Sequence, residues 1–87
     1  MNVSVWDTYV KRDSGQVMHF DIIVPTDLKD DAVIHSFGKS YLATKGVKKF
    51  SLTAQECRFC HIETATPEMI SGIREKGYYI VELQHCN

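Results

Sequence analysis

Two stretches near the start of the chain, residues 3 to 10 and 17 to 24, are rich in valine, isoleucine, threonine and aromatic side chains. These residue types favour extended strands. The segment from Arg12 to Gly15 between them has the composition of a tight turn. The pattern predicts a β-hairpin, which commits the chain to an antiparallel pair of strands before any helix begins.

The two faces of this hairpin depend on the number of residues in its loop, because side chains alternate along a strand. With an even number, we expect the core side to carry Val3, Val5, Asp7, Tyr9, Met18, Phe20, Ile22 and Val24. The opposite face would then display Trp6, His19 and Asp21 among mixed apolar and ionisable neighbours. Left uncovered, this Trp6/His19/Asp21 face could bind a protein partner or a second copy of the chain as a homodimer.

The rest of the chain alternates helix and strand patterns. Residues 26 to 45 and 66 to 76 have capping residues near their starts, apolar residues at helical spacing and a glycine after their ends, which predicts two helices. Residues 56 to 63 and 78 to 83 predict two further strands. The order ββαβαβ predicts an α/β (α+β) two-layer sandwich, with a four-stranded mixed sheet and two helices on one face. We expect residues 1 to 87 to form a single globular domain.

Charge and hydropathy exclude several classes of function. The net charge is −1, and acidic and basic residues are spread along the chain, so no strong field attracts nucleic acid or an anionic membrane. The first residues contain neither a basic region nor an apolar run, which predicts a cytoplasmic protein without membrane association. In that compartment, three irregularly spaced cysteines favour free thiols or metal ligands over a disulfide framework.

The segment from Cys57 to His61, with the sequence Cys-Arg-Phe-Cys-His, most suggests chemistry. It matches the attachment signature of c-type haem. The context argues against covalent haem, because attachment normally follows export and no signal segment is present. Two thiolates and an imidazole from Cys57, Cys60 and His61 could instead supply three of the four ligands of a zinc ion, with His85 or Cys86 as the fourth.

Strand geometry weighs against this zinc hypothesis, because residues three apart on a regular strand point to opposite faces. Cys57 and Cys60 could share an ion only across a turn or a bulge. Thiol redox chemistry is a third hypothesis, but the motif lacks the placement at a helix start that thioredoxin-like proteins use. A structural role, with the cysteines packed beside Phe59 and Ile62, is the interpretation that the sequence favours.

Three ionisable residues of the hairpin also require an explanation. Asp7 falls among valines, where a carboxylate needs a partner. It could act as an acid, base or ligand paired with His61, or reach water at a strand end. His19 and Asp21 could orient an imidazole for acid–base or metal chemistry, or be the ordinary polar residues of a solvated sheet face. The candidate functional cluster therefore comprises Asp7, His19, Asp21, Cys57, Cys60 and His61.

Four blocks of the sequence form a combination that is specific when taken together: Asp7-Thr8-Tyr9-Val10, Met18-His19-Phe20-Asp21, Glu56-Cys57-Arg58-Phe59-Cys60-His61 and Lys76-Gly77-Tyr78-Tyr79-Ile80. On these blocks the chain resembles, over nearly its whole length, a small bacterial family of unknown function whose members are about as long as this chain. The resemblance implies a compact fold of two helices and four strands. It brings no established activity, cofactor or catalytic residue.

These observations favour a small binding or interaction module over an enzyme, since no nucleophile elbow, phosphate loop or metalloprotease motif occurs. The alternative is a zinc-binding or thiol-based protein centred on Cys57, Cys60 and His61. The positions of these side chains in the fold discriminate between the two hypotheses.

Overall fold

The computed structural model describes all 87 residues. The elements are β1 (Asn2–Lys11), β2 (Val17–Pro25), α1 (Asp31–Thr44), β3 (Cys57–Thr64), α2 (Pro67–Lys76) and β4 (Tyr79–Gln84). The α+β class and the order ββαβαβ are thus confirmed. Helix α1 begins later than its sequence predicts, because the side chain of Asp30 is the cap and accepts a hydrogen bond from the Ala32 amide.

The four strands form one sheet in the order β3-β1-β2-β4, and each neighbouring pair is antiparallel. The prediction of a mixed sheet is therefore wrong. The crossover through α1 does join two strands of the same direction, β2 and β3, as the handedness rule assumes. Strand β1 lies between those two with the opposite direction, so no two parallel strands are neighbours.

The helices lie on opposite faces of the sheet, and not on one face as predicted. Ile34, Tyr41 and Leu42 of α1 pack into a core with the even-numbered residues of the hairpin, such as Val10 and Phe20. On the other face, Met69 and Ile73 of α2 pack against Val3, Val5 and Ile23. The two crossovers pass on different sides of the sheet, so both faces are partly covered and the fold has three layers.

The hairpin loop explains why the predicted faces are wrong. Strand β1 ends at Lys11 and β2 begins at Val17, which leaves five residues between them. An odd loop pairs residues of like parity, so Val10 is opposite Met18 and Asp7 is opposite Asp21. Relative to β1, every side chain of β2 therefore lies on the opposite face from the one that an even loop predicts.

The predicted Trp6/His19/Asp21 face is consequently not formed. Trp6 lies on the α1 side of the sheet and is only 8% exposed, beside Phe59 and His35. His19 and Asp21 lie on the α2 side, by alternation with the buried Ile23. Neither α1 nor α2 has the length and hydrophobicity that a membrane-spanning helix requires.

Helix α2 sits close to the sheet because of its glycines. Thr66 caps its start and Pro67 occupies its first turn. Gly77 ends it with a φ of 90°, a left-handed conformation that favours glycine. A Cβ atom on Gly72 would stand 2.6 Å from Cδ1 of Tyr79 on β4, so only glycine permits this approach. The position of α2 decides which part of its sheet face remains open.

Candidate functional site

The open part of the α2 face carries four polar or aromatic side chains from the hairpin. Val3, Val5 and Ile23 are covered by α2, and the next residues along the same face are Asp7 and Tyr9 on β1 and Asp21 and His19 on β2. Asp7 is paired directly with Asp21, and Tyr9 with His19. Two adjacent cross-strand pairs therefore bring these four side chains together at one end of the hairpin.

Asp7, His19 and Asp21 form a compact cluster of possible metal ligands. Nε2 of His19 and Oδ1 of Asp7 lie 2.5 Å apart, and one donor atom from each of the three residues lies within 4.8 Å of the other two. The cluster is half-buried, with the His19 side chain 23% and the Asp7 side chain 33% exposed. Its donor atoms are therefore partly shielded from water while remaining reachable from outside.

The electrostatics of the cluster follow from its two carboxyl groups. Desolvation raises the pKa of Asp21 from 3.8 to about 6, and the hydrogen bond and negative charge of Asp7 act in the same direction. The positive charges of His19 and His61 oppose this shift only in part. The fold therefore favours the protonated, neutral form of Asp21, because burial and the adjacent Asp7 both disfavour a second carboxylate charge.

Tyr9 forms one wall of this cluster. Its ring is stacked on the His19 imidazole, with centroids 4.1 Å apart and planes at 11°. Desolvation, followed by the charge and hydrogen bonding of Asp7, raises the pKa of the Tyr9 hydroxyl. The phenol therefore stays neutral, and its ring restricts the orientation of the imidazole.

The structure does not assemble the zinc ligands predicted from the Cys-x-x-Cys-His motif. Cys57 is opposite Thr8 and only 1% exposed, in the core on the α1 side. Desolvation raises the pKa of its thiol despite a hydrogen bond from Thr8. Cys60 and His61 are exposed on the surface. Cys57, Cys60 and His61 do not form a ligand cluster. The Cys57 side chain is buried, whereas those of Cys60 and His61 are exposed.

The predicted fourth ligands also lie away from that motif. Cys86 is buried in the α1-side core, and its thiol donates to the carbonyl oxygens of His19 at 3.4 Å and Gln84 at 3.3 Å. The carbonyl of His85 accepts a hydrogen bond from Arg12. These hydrogen bonds hold His85 and Cys86 against the hairpin.

A bulge in β3 turns the second half of the motif toward solvent. The register with β1 shifts between Val5, which pairs with His61, and Trp6, which pairs with Phe59, so Cys60 is the extra residue. Nδ1 of His61 lies 3.2 Å from Sγ of Cys60. Its Nε2 lies 2.9 Å from Oε1 of Glu63. These three side chains form a hydrogen-bonded series on an edge strand.

Sequence reasoning missed two members of these clusters, Tyr9 and Glu63. Each has a signal in the sequence, since each lies two positions after a candidate residue, Asp7 or His61, and residues two apart share a strand face. The candidates Asp7, His19 and Asp21 are brought together. Their convergence could not be inferred without the parity of the hairpin loop.

Comparisons with known proteins agree with the fold and supply no activity. A family model described as a domain of unknown function, DUF2024, matches residues 1–83. A protein of Nitrosomonas europaea, solved by NMR as a structural genomics target, is 42% identical with a TM-score of 0.85, and the match covers 100% of each chain. No curated protein matches the chain at a significant level.

Proposed function

This chain belongs to the DUF2024 family of domains of unknown function, and we propose that it is a metal-binding domain that holds a divalent transition metal between Asp7, His19 and Asp21. One observation carries the proposal. Two carboxyl groups are directly opposite each other on adjacent strands, with an imidazole nitrogen within 4.8 Å of both. Like charges at such positions destabilise a sheet, and a bound cation removes that cost.

The donor types favour a particular class of metal. Carboxylate oxygens alone suit magnesium and calcium, whereas an imidazole nitrogen suits zinc, iron, copper and nickel. A site with two carboxylates and one imidazole therefore favours a divalent transition metal such as Zn²⁺ or Mn²⁺. Three protein ligands also leave coordination positions for water or an external ligand.

The separations of the donor atoms suit such an ion. Ligand atoms bound to tetrahedral zinc at about 2.0 to 2.2 Å stand about 3.3 to 3.6 Å from one another. The three donors lie within 4.8 Å of one another, so small side-chain rotations would bring them to a common ion. A bound ion would replace the hydrogen bond between His19 and Asp7, because both groups bind metal in their deprotonated forms.

The surroundings of His19 support the same function. Metal-binding imidazoles are usually held in one orientation by a neighbouring group. Here the stacked Tyr9 ring restricts rotation of the His19 side chain. The partial exposure of His19 and Asp7 leaves a path for the ion to enter.

We also propose that the protein works in the cytoplasm. Its three cysteines are unpaired, and two of them are buried. Free thiols persist in the reducing cytoplasm and are oxidised in exported proteins.

Isothermal titration calorimetry of Zn²⁺ and Mn²⁺ into the metal-free chain tests the site. We expect one ion per chain, and we expect Asp7→Asn, His19→Gln and Asp21→Asn each to weaken binding by about tenfold or more, since each removes one ligand. Asp13→Asn is the matched control, because Asp13 is an exposed carboxylate in the hairpin loop. Absence of saturable binding, or equal affinity in the three variants and the control, would contradict the proposal.

A further inference from the structure

The second cluster on this side of the chain, Cys60, His61 and Glu63, has the order of a nucleophile, a base and a group that orients the base. Sγ of Cys60 lies 3.2 Å from Nδ1 of His61, whose Nε2 lies 2.9 Å from Oε1 of Glu63. We propose that Cys60 is a nucleophilic thiol that exchanges with low-molecular-weight disulfides, with His61 as its base and Glu63 as the positioning residue.

The two contacts of the His61 imidazole define the chemical role of each side chain. Because one imidazole nitrogen faces the thiol and the other faces a carboxylate, Glu63 holds the proton on Nε2 and leaves Nδ1 free to accept. A proton moved from Cys60 to Nδ1 yields a thiolate beside an imidazolium that is stabilised by Glu63. His61 and Glu63 share a face of β3, so the strand itself maintains their contact.

Access to Cys60 follows from the fold. The side chain belongs to an edge strand and stands at a bulge, and the neighbouring His61 side chain is 52% exposed. Cys57 and Cys86 are both buried on the α1 side of the sheet, whereas Cys60 is exposed. One of the three thiols therefore meets an external reagent without any opening of the fold.

The exchange reaction requires only Cys60, His61 and the external disulfide. The Cys60 thiolate attacks one sulfur of the external disulfide, a new S–S bond forms to Cys60, and the original S–S bond breaks. The released thiolate takes the proton that His61 received from Cys60. The products are a mixed disulfide on Cys60 and one free thiol, with no net oxidant beyond the disulfide itself.

The external disulfide is the substrate class that this site fits best. Exchange needs a thiol that a base can deprotonate and an open approach to it, and Cys60 contacts His61 and is exposed. The other two thiols are buried in the opposite layer, so neither can resolve the adduct within the folded chain. The mixed disulfide is therefore the stable product until an external thiol reverses it.

The test uses oxidised glutathione as the probe, on the intact chain at neutral pH with a chelator present, so that it does not depend on the proposed metal site. We expect the adduct on Cys60 by peptide mass spectrometry, formed about tenfold faster than on the urea-unfolded chain. His61→Asn should remove this excess rate. His85→Asn is the matched control, since His85 is exposed and Asn tolerates its φ of 55°.

Glu63→Gln tests the positioning role, with Glu75→Gln on α2 as the control for loss of one exposed carboxylate. The readout is the ultraviolet absorbance of the thiolate, which a merely structural role of Glu63 would not change. We expect a thiolate signal that disappears in Cys60→Ser, falls in Glu63→Gln and persists in Glu75→Gln. Equal exchange rates for folded and unfolded chains, or an unchanged rate in His61→Asn, would overturn the proposal.

Discussion

Asp7 on β1 and Asp21 on β2 are directly opposite each other in the antiparallel ladder, on the sheet face that α2 covers only in part. Two carboxyl groups at such positions destabilise a sheet unless a proton or a cation lies between them. His19 contacts Asp7 from the next cross-strand pair. Repulsion between the two carboxylates therefore lowers the stability of the metal-free chain, and a bound metal ion would remove this repulsion.

The raised pKa of Asp21 makes the stability of the metal-free protein depend on pH. This pKa is 3.8 in an ordinary carboxyl group and about 6 in the fold, so between these values the folded chain holds a proton that the unfolded chain has released. Stability therefore falls as pH rises through this window and levels off above it. In urea unfolding with a chelator, the free energy of unfolding of Asp21→Asn should rise relative to that of the wild type as the pH increases through this window. A difference that is the same at every pH would contradict the assignment.

Tyr9 should affect metal binding through its ring. Tyr9→Leu removes the stacked ring from His19, and we expect the affinity for Zn²⁺ to fall about tenfold, as for other supporting groups of metal ligands. Tyr9→Phe retains the ring and should bind Zn²⁺ within about twofold of the wild type. Calorimetry on both variants measures this. Equal losses in the two variants would show that the hydroxyl, and not the stacking, matters.

Cys57 should contribute to stability without contributing to metal binding. Its thiol is buried in the core on the α1 side, so Cys57→Ser places a hydroxyl there and should cost about 1 to 3 kcal/mol in the free energy of unfolding. The stoichiometry of Zn²⁺ should remain that of the wild type. Loss of zinc binding in the folded variant would restore the Cys-x-x-Cys-His motif as the metal site.

Gly72 should be required for the close packing of α2 against β4. An alanine Cβ would stand 2.6 Å from Cδ1 and 3.1 Å from Cβ of Tyr79. Overpacking of this kind costs about 1 to 3 kcal/mol and is offset by about 1 kcal/mol of helix propensity, so we expect a net loss of about 1 kcal/mol. Ser71→Ala, at an exposed position of the same helix, is the control. A Gly72→Ala variant as stable as the wild type would contradict the tight packing.

Local patterns were sufficient to predict the elements of this fold. Turn residues, the Thr66 cap with Pro67, and the glycine that ends α2 are read directly from neighbouring residues. The choice of partners in the sheet is not local. Strand β1 lies between β2 and β3, and this order depends on packing across the whole chain. The antiparallel sheet and the placement of the helices on opposite faces could therefore not be predicted.

The candidate site was predicted by its residues but not by its geometry. Asp7, His19 and Asp21 were all singled out, yet an even loop assigned Asp7 to one face and His19 with Asp21 to the other. The five-residue loop reverses this and unites them. Cys57 and Cys60 were expected to diverge on a strand, and the bulge at Cys60 brings its thiol beside His61, a contact that no spacing rule predicts.

The most direct test of the metal site is paramagnetic broadening of the amide NMR signals of the labelled chain by a small amount of Mn²⁺. We expect the signals of Asp7, His19 and Asp21 to broaden first, and those of α1, which lies on the opposite face, to broaden last. Broadening that starts at Cys60 and His61, at the Asp30 and Asp31 carboxylates near the start of α1, or nowhere at all would contradict a metal site between the opposed carboxylates.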